Sequence, residues 1–281
     1  MSTRREFLGA AGSASALALL PRALRGATPV PEKIARIGLQ LYTVRAEMKV
    51  SVEHTLALVA KAGYKEVEFA GYFERTPAAL RALLDTHGLT APSAHVDPAL
   101  LERDWPAQAA AAKAMGHRTL IVAWVDRGQL PALDDWKNLA KRFNELGRRA
   151  AGDGLRFGYH NHDFEFPRIA GARPYDVLLG ETDPALVDFE LDLYWAIRAG
   201  ADPLDYFARH PGRFKSVHIK DGGPMPAFEM RDVGAGTVDW RPIFAQHARA
   251  GTEHYFVEHD NPANPVASIT ASARYLAALS Y

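Results

Sequence analysis

From Arg36 onward the sequence alternates eight times between a short run with strand character and a longer run with helical periodicity. No other feature of the 281-residue chain constrains its fold as strongly. The strand-like runs are Arg36–Tyr42, Glu66–Ala70, Ala91–Val96, Thr119–Trp124, Leu155–His160, Leu186–Leu191, Phe214–Lys220 and Tyr255–Glu258. The helical runs are Val52–Lys61, Pro77–Thr86, Trp105–Met115, Leu133–Ala151, Tyr175–Gly180, Pro203–His210, Pro242–Ala250 and Pro265–Leu279. Eight successive βα units in about 250 residues predict a single-domain (β/α)8 TIM barrel, an α/β fold. A doubly wound open sheet is the competing architecture, but no Gly-x-Gly-x-x-Gly turn follows the first strand. The longest stretch without clear structure, Asp221–Asp239, follows strand seven, at the end of a barrel where working loops gather.

The barrel pattern does not reach the N-terminus. Thr3-Arg4-Arg5-Glu6-Phe7-Leu8 leads into an uncharged apolar run from Leu8 to Leu20. Paired arginines followed by Phe-Leu and a Gly/Ala-rich run resemble a bacterial twin-arginine export signal. The run is shorter than the ~20 residues of a membrane-spanning helix, so it reads as a signal and not an anchor. The expected division is therefore a signal over residues 1–27, cleaved near Ala23 or Ala27, and a barrel over residues 28–281. The twin-arginine export machinery is then a partner, and the working compartment is the periplasm. Without the signal the chain carries 29 basic and 32 acidic residues, a balance that attracts neither nucleic acid nor an anionic membrane. Cysteine is absent, so any metal must be held by His, Asp and Glu.

The late strands end in ionisable residues: His160-Asn161-His162, Asp192, His218 with Lys220, and Glu258-His259-Asp260. Period-two alternation puts His160 on one face with Gly158, Asp192 with Glu190, and His218 with Ser216 and Lys220. If those faces point into the barrel, imidazoles and carboxylates from four neighbouring strands converge. Isolated buried charges are costly, and a divalent cation would pair the carboxylates and take the imidazole nitrogens. Taken singly the residues have plainer readings. Asp192 ahead of Leu193-Tyr194-Trp195 suits a helix N-cap, Asp202 and His210 suit a helix start and end, and Lys220 suits a rim salt bridge with Asp221.

Ile37-Gly38-Leu39-Gln40-Leu41-Tyr42, Glu68-Phe69-Ala70-Gly71, Tyr159-His160-Asn161-His162-Asp163-Phe164-Glu165-Phe166, Asp192-Leu193-Tyr194-Trp195, Val217-His218-Ile219-Lys220-Asp221 and Val257-Glu258-His259-Asp260 resemble the sugar-phosphate isomerase/epimerase family with the xylose-isomerase-like TIM barrel. The resemblance implies one divalent ion (Mn²⁺, Co²⁺, Zn²⁺ or Mg²⁺) held by side chains from strands five to eight. Asp192, His218 and Glu258 carry over directly. The fourth position departs from the pattern: His160 stands where the family has Glu. Either His160 is the ligand or Glu165 folds back to supply a carboxylate, and the rigid strand favours His160. The family's epimerases use two metal-bound glutamates as their acid/base pair, so the departure bears on the reaction.

A carbonyl and neighbouring hydroxyl on such a metal acidify the C–H between them, and its loss leaves a metal-stabilised enediolate. The leading expectation is an isomerase or epimerase of an unphosphorylated sugar or sugar-like ketone. Glu258 and His160 are the proton-transfer pair, Glu165 a third candidate, and Lys220 the group that steadies the enediolate oxygen. Gln40, Tyr42, Glu68, His95, Trp124 and His162 are candidate sugar-binding residues. The first alternative is a metal-dependent lyase that eliminates a group β to the ketone of a keto-glycoside or inosose-like substrate. The second is a non-catalytic periplasmic sugar-binding protein. The resemblance also leaves room for a homo-oligomer. A DNA-repair endonuclease on the same barrel would need a basic face that this chain lacks.

Overall fold

All eight expected strands form, most of them a little shorter than the pattern suggested. They are β1 Ile37–Gln40, β2 Glu66–Phe69, β3 Thr90–His95, β4 Thr119–Val122, β5 Arg156–His160, β6 Val187–Asp192, β7 Phe214–Ile219 and β8 His254–Val257. They close in the order β1-β8-β7-β6-β5-β4-β3-β2, every pair parallel, so all eight C-terminal ends share one rim. Principal helices follow them: α1 Val52–Ala62, α2 Pro77–His87, α3 Trp105–Met115, α4 Leu133–Gly152, α5 Pro174–Glu181, α6 Pro203–Arg209, α7 Trp240–Phe244 and α8 Pro265–Ala278. This computed structural model describes residues 31–281, and the expected signal lies outside the described residues. Among the described residues no helix is long and apolar enough to cross a membrane.

The alternation along each strand sorts side chains between two environments. Leu39, Val67, Phe69, Phe157, Tyr159, Phe189, Leu191, Val217 and Val257 belong to the apolar core between strands and helices. The longest helix, α4, buries Trp136, Leu139, Ala140, Phe143, Leu146 and Ala150 at helical spacing. Its Phe143 ring lies 5.3 Å from that of Phe157 and 5.1 Å from that of Tyr159. The alternate strand residues face the barrel axis and are unusually polar for an interior that branched apolar side chains commonly fill. At the N-terminal end Arg36 bonds Glu66 at 2.9 Å, His254 meets the same carboxylate at 2.7 Å, and Arg156 pairs with Asp188. In the middle Phe256 fills the space that Gly38 leaves open, since a Cβ on Gly38 would lie 2.5 Å from the ring. Toward the C-terminal rim the axis-facing residues are mostly charged or hydrogen-bonding, among them Gln40, Glu68, His95, His160, Glu190 and His218.

Several local expectations are corrected. β1 and β4 stop at Gln40 and Val122, so Tyr42 falls in a 3-10 turn (Leu41–Val44) and Trp124 in a loop. The helix expected over Pro242–Ala250 is split into α7 and a short turn of helix at His247–Ala250. The Asp221–Asp239 loop contains a small antiparallel hairpin, Asp221–Gly222 with Met230–Arg231. Helices Arg45–Val50, Pro98–Arg103 and Leu193–Arg198, each of 6 residues, are too short to show a period in the sequence.

Candidate active site

The shared rim brings the late strand ends together. Asp192 is in register with His218, His218 with Phe256, and His160 with Glu190. One ligand atom each from His160, Asp192, His218 and Glu258 lies within 4.8 Å of the others, and all four residues are buried. His160 Nε2 is 3.2 Å from Asp192 Oδ2, and His218 Nδ1 is 2.8 Å from Glu258 Oε2 and 4.0 Å from Asp192 Oδ2.

Asp192 serves both of the readings its sequence allowed. Its Oδ1 accepts the Trp195 N–H at 3.0 Å and caps the helix Leu193–Arg198, while Oδ2 faces the cluster. Asn161 fixes this corner, accepting the Asp192 N–H at 3.0 Å and donating to the Asp192 carbonyl at 3.3 Å. Asp202 caps α6, and His210 follows its last turn, as expected of structural residues.

His160, not Glu165, occupies the fourth corner. The Glu165 carboxylate accepts the Tyr159 hydroxyl at 2.6 Å and the His162 N–H at 3.1 Å and 3.0 Å. Those bonds pin the loop after β5 and turn Glu165 away from the cluster, which corrects its expected part as a third catalytic candidate. Burial pushes its carboxyl up to about 7. Burial, aided by the neighbouring His218 and His95, holds His160 well below the ordinary imidazole value. His162 is pushed down to about 3 by burial and by His160. Both rings are therefore neutral near pH 7 and can offer a nitrogen lone pair.

Lys220 follows β7 and is 2% exposed. Its Nζ lies 3.1 Å from Asp192 Oδ2, 2.8 Å from Glu258 Oε2 and 2.8 Å from Asp260 Oδ1. Burial works against its charge, but the three carboxylates outweigh burial and raise Lys220 well above an ordinary lysine. The simpler expectation of a rim salt bridge to Asp221 is corrected, because Asp221 accepts the N–H groups of Gly222 and Gly234, each at 2.9 Å, and organises the loop. Glu258 is held well below the carboxylate range: burial opposes this, and Lys220 and His218 prevail.

The candidate sugar-binding residues divide. Glu68 is fully buried, its Oε2 2.8 Å from His218 Nε2, and it accepts from Gln40 Nε2 at 2.8 Å and from Ser93 Oγ. Gln40 is also buried, its Oε1 accepting the Tyr42 N–H at 3.0 Å. These two hydrogen-bond to each other and, through Glu68, to His218, and so support the cluster. Tyr42 lies on the rim under the Arg45 guanidinium, 4.0 Å away. His95, Trp124 and His162 remain accessible from the mouth. Trp124 is 57% exposed and sits edge-on to His162 at 5.2 Å, and His162 Nδ1 is buried without a partner among the described residues.

Three participants were missed. Asp260 braces Lys220, and its signal was period two beyond Glu258. Glu190 accepts the Ser216 hydroxyl at 2.7 Å and lies 3.0 Å from His218 Nε2, on the face it shares with Asp192. Trp195 presents its ring 5.6 Å from Lys220 Nζ, with an indole N–H that has no partner among the described residues; it lay in the Asp192-Leu193-Tyr194-Trp195 stretch, where nothing gave it a role of its own.

Comparison with known proteins adds a reaction type to this geometry. Residues 56–279 match the family model of the xylose isomerase-like TIM barrel. An inosose dehydratase of Lacticaseibacillus casei is 26% identical over 268 residues, covering 81% of this chain and 89% of the relative. The inosose dehydratase of Geobacillus thermodenitrificans (strain NG80-2) is 26% identical over 245 residues, covering 74% and 82%. A solved sugar phosphate isomerase/epimerase from Parabacteroides distasonis ATCC 8503 superposes with a TM-score of 0.77 at 28% identity, covering 87% of this chain and 98% of that one. A dehydratase is a lyase. The curated relatives therefore correct the leading expectation of isomerisation or epimerisation in favour of elimination.

Proposed function

The chain belongs to the xylose isomerase-like TIM barrel family, and from that premise we propose that this enzyme is a metal-dependent lyase. It would remove an oxygen substituent β to the ketone of a six-membered polyhydroxylated ring, an inosose or a ring of the same pattern. The observation that carries this reading is His160 at the fourth corner of the cluster: its Nε2 lies among the candidate ligand atoms, so a bound ion would occupy that lone pair and leave no second base opposite Glu258. Glu165 is taken by Tyr159 and His162, Asp192 is shared between its helix cap and the cluster, and Glu68 and Glu190 are held against His218, which leaves Glu258 as the carboxylate we assign to the substrate proton. One base suffices for elimination, whereas epimerisation through two faces needs a partner for it.

The donor set suits a divalent cation of the Mn²⁺, Co²⁺, Zn²⁺ or Mg²⁺ kind: two carboxylates and two imidazoles, buried and convergent, with no thiolate. His160, Asp192, His218 and Glu258 would hold it. When bound, the ion supplies Lewis acidity that weakens the C–H beside the substrate ketone. Ser93 and Ser216 hold the Glu68 and Glu190 carboxylates against His218 Nε2, which fixes the ring with Nδ1 toward the cluster. Glu258, kept ionised by Lys220 and His218, accepts the α-proton. The Lys220 ammonium balances the negative charge that develops on the ketone oxygen. The Cα–H pair becomes the new double bond, the β C–O bond breaks, and the oxygen leaves with a proton as water or an alcohol.

Replacing Glu258 by Gln keeps the size but removes the base. Elimination should fall ~10²–10⁴-fold at saturating metal with circular dichroism unchanged. A variant that turns over at the wild-type rate with its metal in place would move the base elsewhere. Export to the periplasm rests on Arg4-Arg5 ahead of the apolar run; fractionation of cells expressing the chain with and without Arg4→Lys and Arg5→Lys checks it.

A further inference from the structure

Beside the cluster, over the ends of β2, β3 and β4, lies an open cleft of about 1050 Å³. Pockets that enclose drug-sized ligands span roughly 300–1,000 Å³, so this one far exceeds what a single six-membered ring needs. It is continuous with the site. His95 lines the cleft and also stands 2.7 Å from Glu190, with its ring 5.1 Å from that of His160. Trp124, the exposed aromatic of the cleft wall, touches His162, whose ring lies 5.1 Å from that of His160.

The lining is mostly apolar: Tyr72, Val96, Trp124 and Val125 with the small Ala107 and Ala111 of α3, and Gln108 and Gln129 as its uncharged polar members. Its two carboxylates are already committed. Asp97 accepts the Ala99 N–H at 2.7 Å and Asp126 the Gly128 N–H at 2.9 Å, each closing a helical turn. Among the described residues no lysine or arginine lines the cleft, so no cation there answers a phosphate or a carboxylate. The complement of such a wall is an uncharged apolar group with a face to stack on an indole.

We propose that this cleft is a leaving-group subsite, and that the preferred substrate is a keto-glycoside whose apolar aglycone lies along Trp124 and α3. The inference rests on the lyase reading and sharpens it. An inosose and a 3-keto-pyranoside share a six-membered ring with a ketone and a C–O bond β to it. In the inosose that oxygen leaves as water; in the glycoside it is the anomeric oxygen and leaves as the aglycone alcohol. The C2–H bond gives up its proton to Glu258, the C1–C2 double bond forms, and the C1–O electron pair departs with the oxygen, which takes a proton from water while Glu258 returns its own to solvent. No oxidant or reductant is consumed. The ring binds over the cluster in both cases, and only the glycoside fills the cleft.

The test uses the metal-loaded full chain with an inosose, methyl 3-ketoglucoside and cyclohexylmethyl 3-ketoglucoside. Both glycosides leave as primary alkyl alcohols, so their difference reads the subsite more than leaving-group acidity. Hydrophobic pockets discriminate about 10–200-fold per methylene at best, and kcat/KM should rise at least tenfold from methyl to cyclohexylmethyl. Ala111→Phe, which fills the cleft from α3, should erase that gain and leave the inosose and methyl rates within twofold. Equal kcat/KM for the two glycosides, or equal loss on all three substrates in Ala111→Phe with its fold intact, would overturn the subsite while elimination itself stands. No elimination from any of the three would overturn the lyase reading and the subsite with it.

Discussion

Glu165 shows how a single residue can look catalytic in a sequence and be structural in the molecule. Its motif, five residues beyond His160, offered a carboxylate within loop reach, but the Tyr159 hydroxyl and the His162 N–H take it. A sequence read along its length cannot rank those donors against a metal. The consequence is a pH signature. The Glu165 carboxyl titrates near 7 in the folded chain, raised by burial from its usual 4.5. The folded state therefore holds this proton more tightly than the unfolded one. That contribution is complete below the unfolded value and is lost as the pH rises through the folded one, for a total of ~3 kcal/mol. Glu165→Gln, which keeps an accepting oxygen, should flatten the decline. Urea denaturation at pH 5 and pH 8 checks this: relative to wild type the variant gains stability at pH 8. The same dependence in variant and wild type would assign the decline to another group.

At the scale of elements, the strands and their facing were legible because alternation in the sequence is the same alternation that separates core from axis. That parity placed His160, Asp192, His218 and Glu258 together with no knowledge of distance. What it could not encode is where a strand stops. Tyr42 and Trp124 were placed at strand tips, whereas β1 and β4 end two residues short of each. Bonds across the axis were also invisible, as with Glu68 and His218, which meet from strands 150 residues apart. The middle of the barrel gives the element-scale prediction. Gly38→Ala would put a methyl 2.5 Å from the Phe256 ring, and that ring lies 6.1 Å from His218. Overpacking costs about 1–3 kcal/mol, and the ring can escape only toward the cluster or the floor. The variant should unfold at lower urea and bind metal more weakly. Wild-type stability and metal affinity together would show that the interior yields more easily than its packing implies.

For the whole molecule, the candidate ligands come from β5, β6 and β7 and from the residue after β8, four consecutive units of the barrel. Metal binding should therefore stabilise the barrel as a unit. At a free concentration of 100 times the dissociation constant the gain is about 2.7 kcal/mol, and a chelator should remove it in one cooperative transition. Scanning calorimetry with and without chelator reads this directly; a melting temperature indifferent to Mn²⁺, Co²⁺ and Zn²⁺ would remove the metal from the account. The central proposal is elimination at a site with a single base. Metal-loaded enzyme incubated with an inosose in D₂O and followed by NMR tests it most directly. The expected result is a metal-dependent unsaturated or rearranged dehydration product, with water lost from the carbon β to the ketone. Recovery of an isomerised or epimerised ring carrying deuterium, with no dehydrated product, would contradict it.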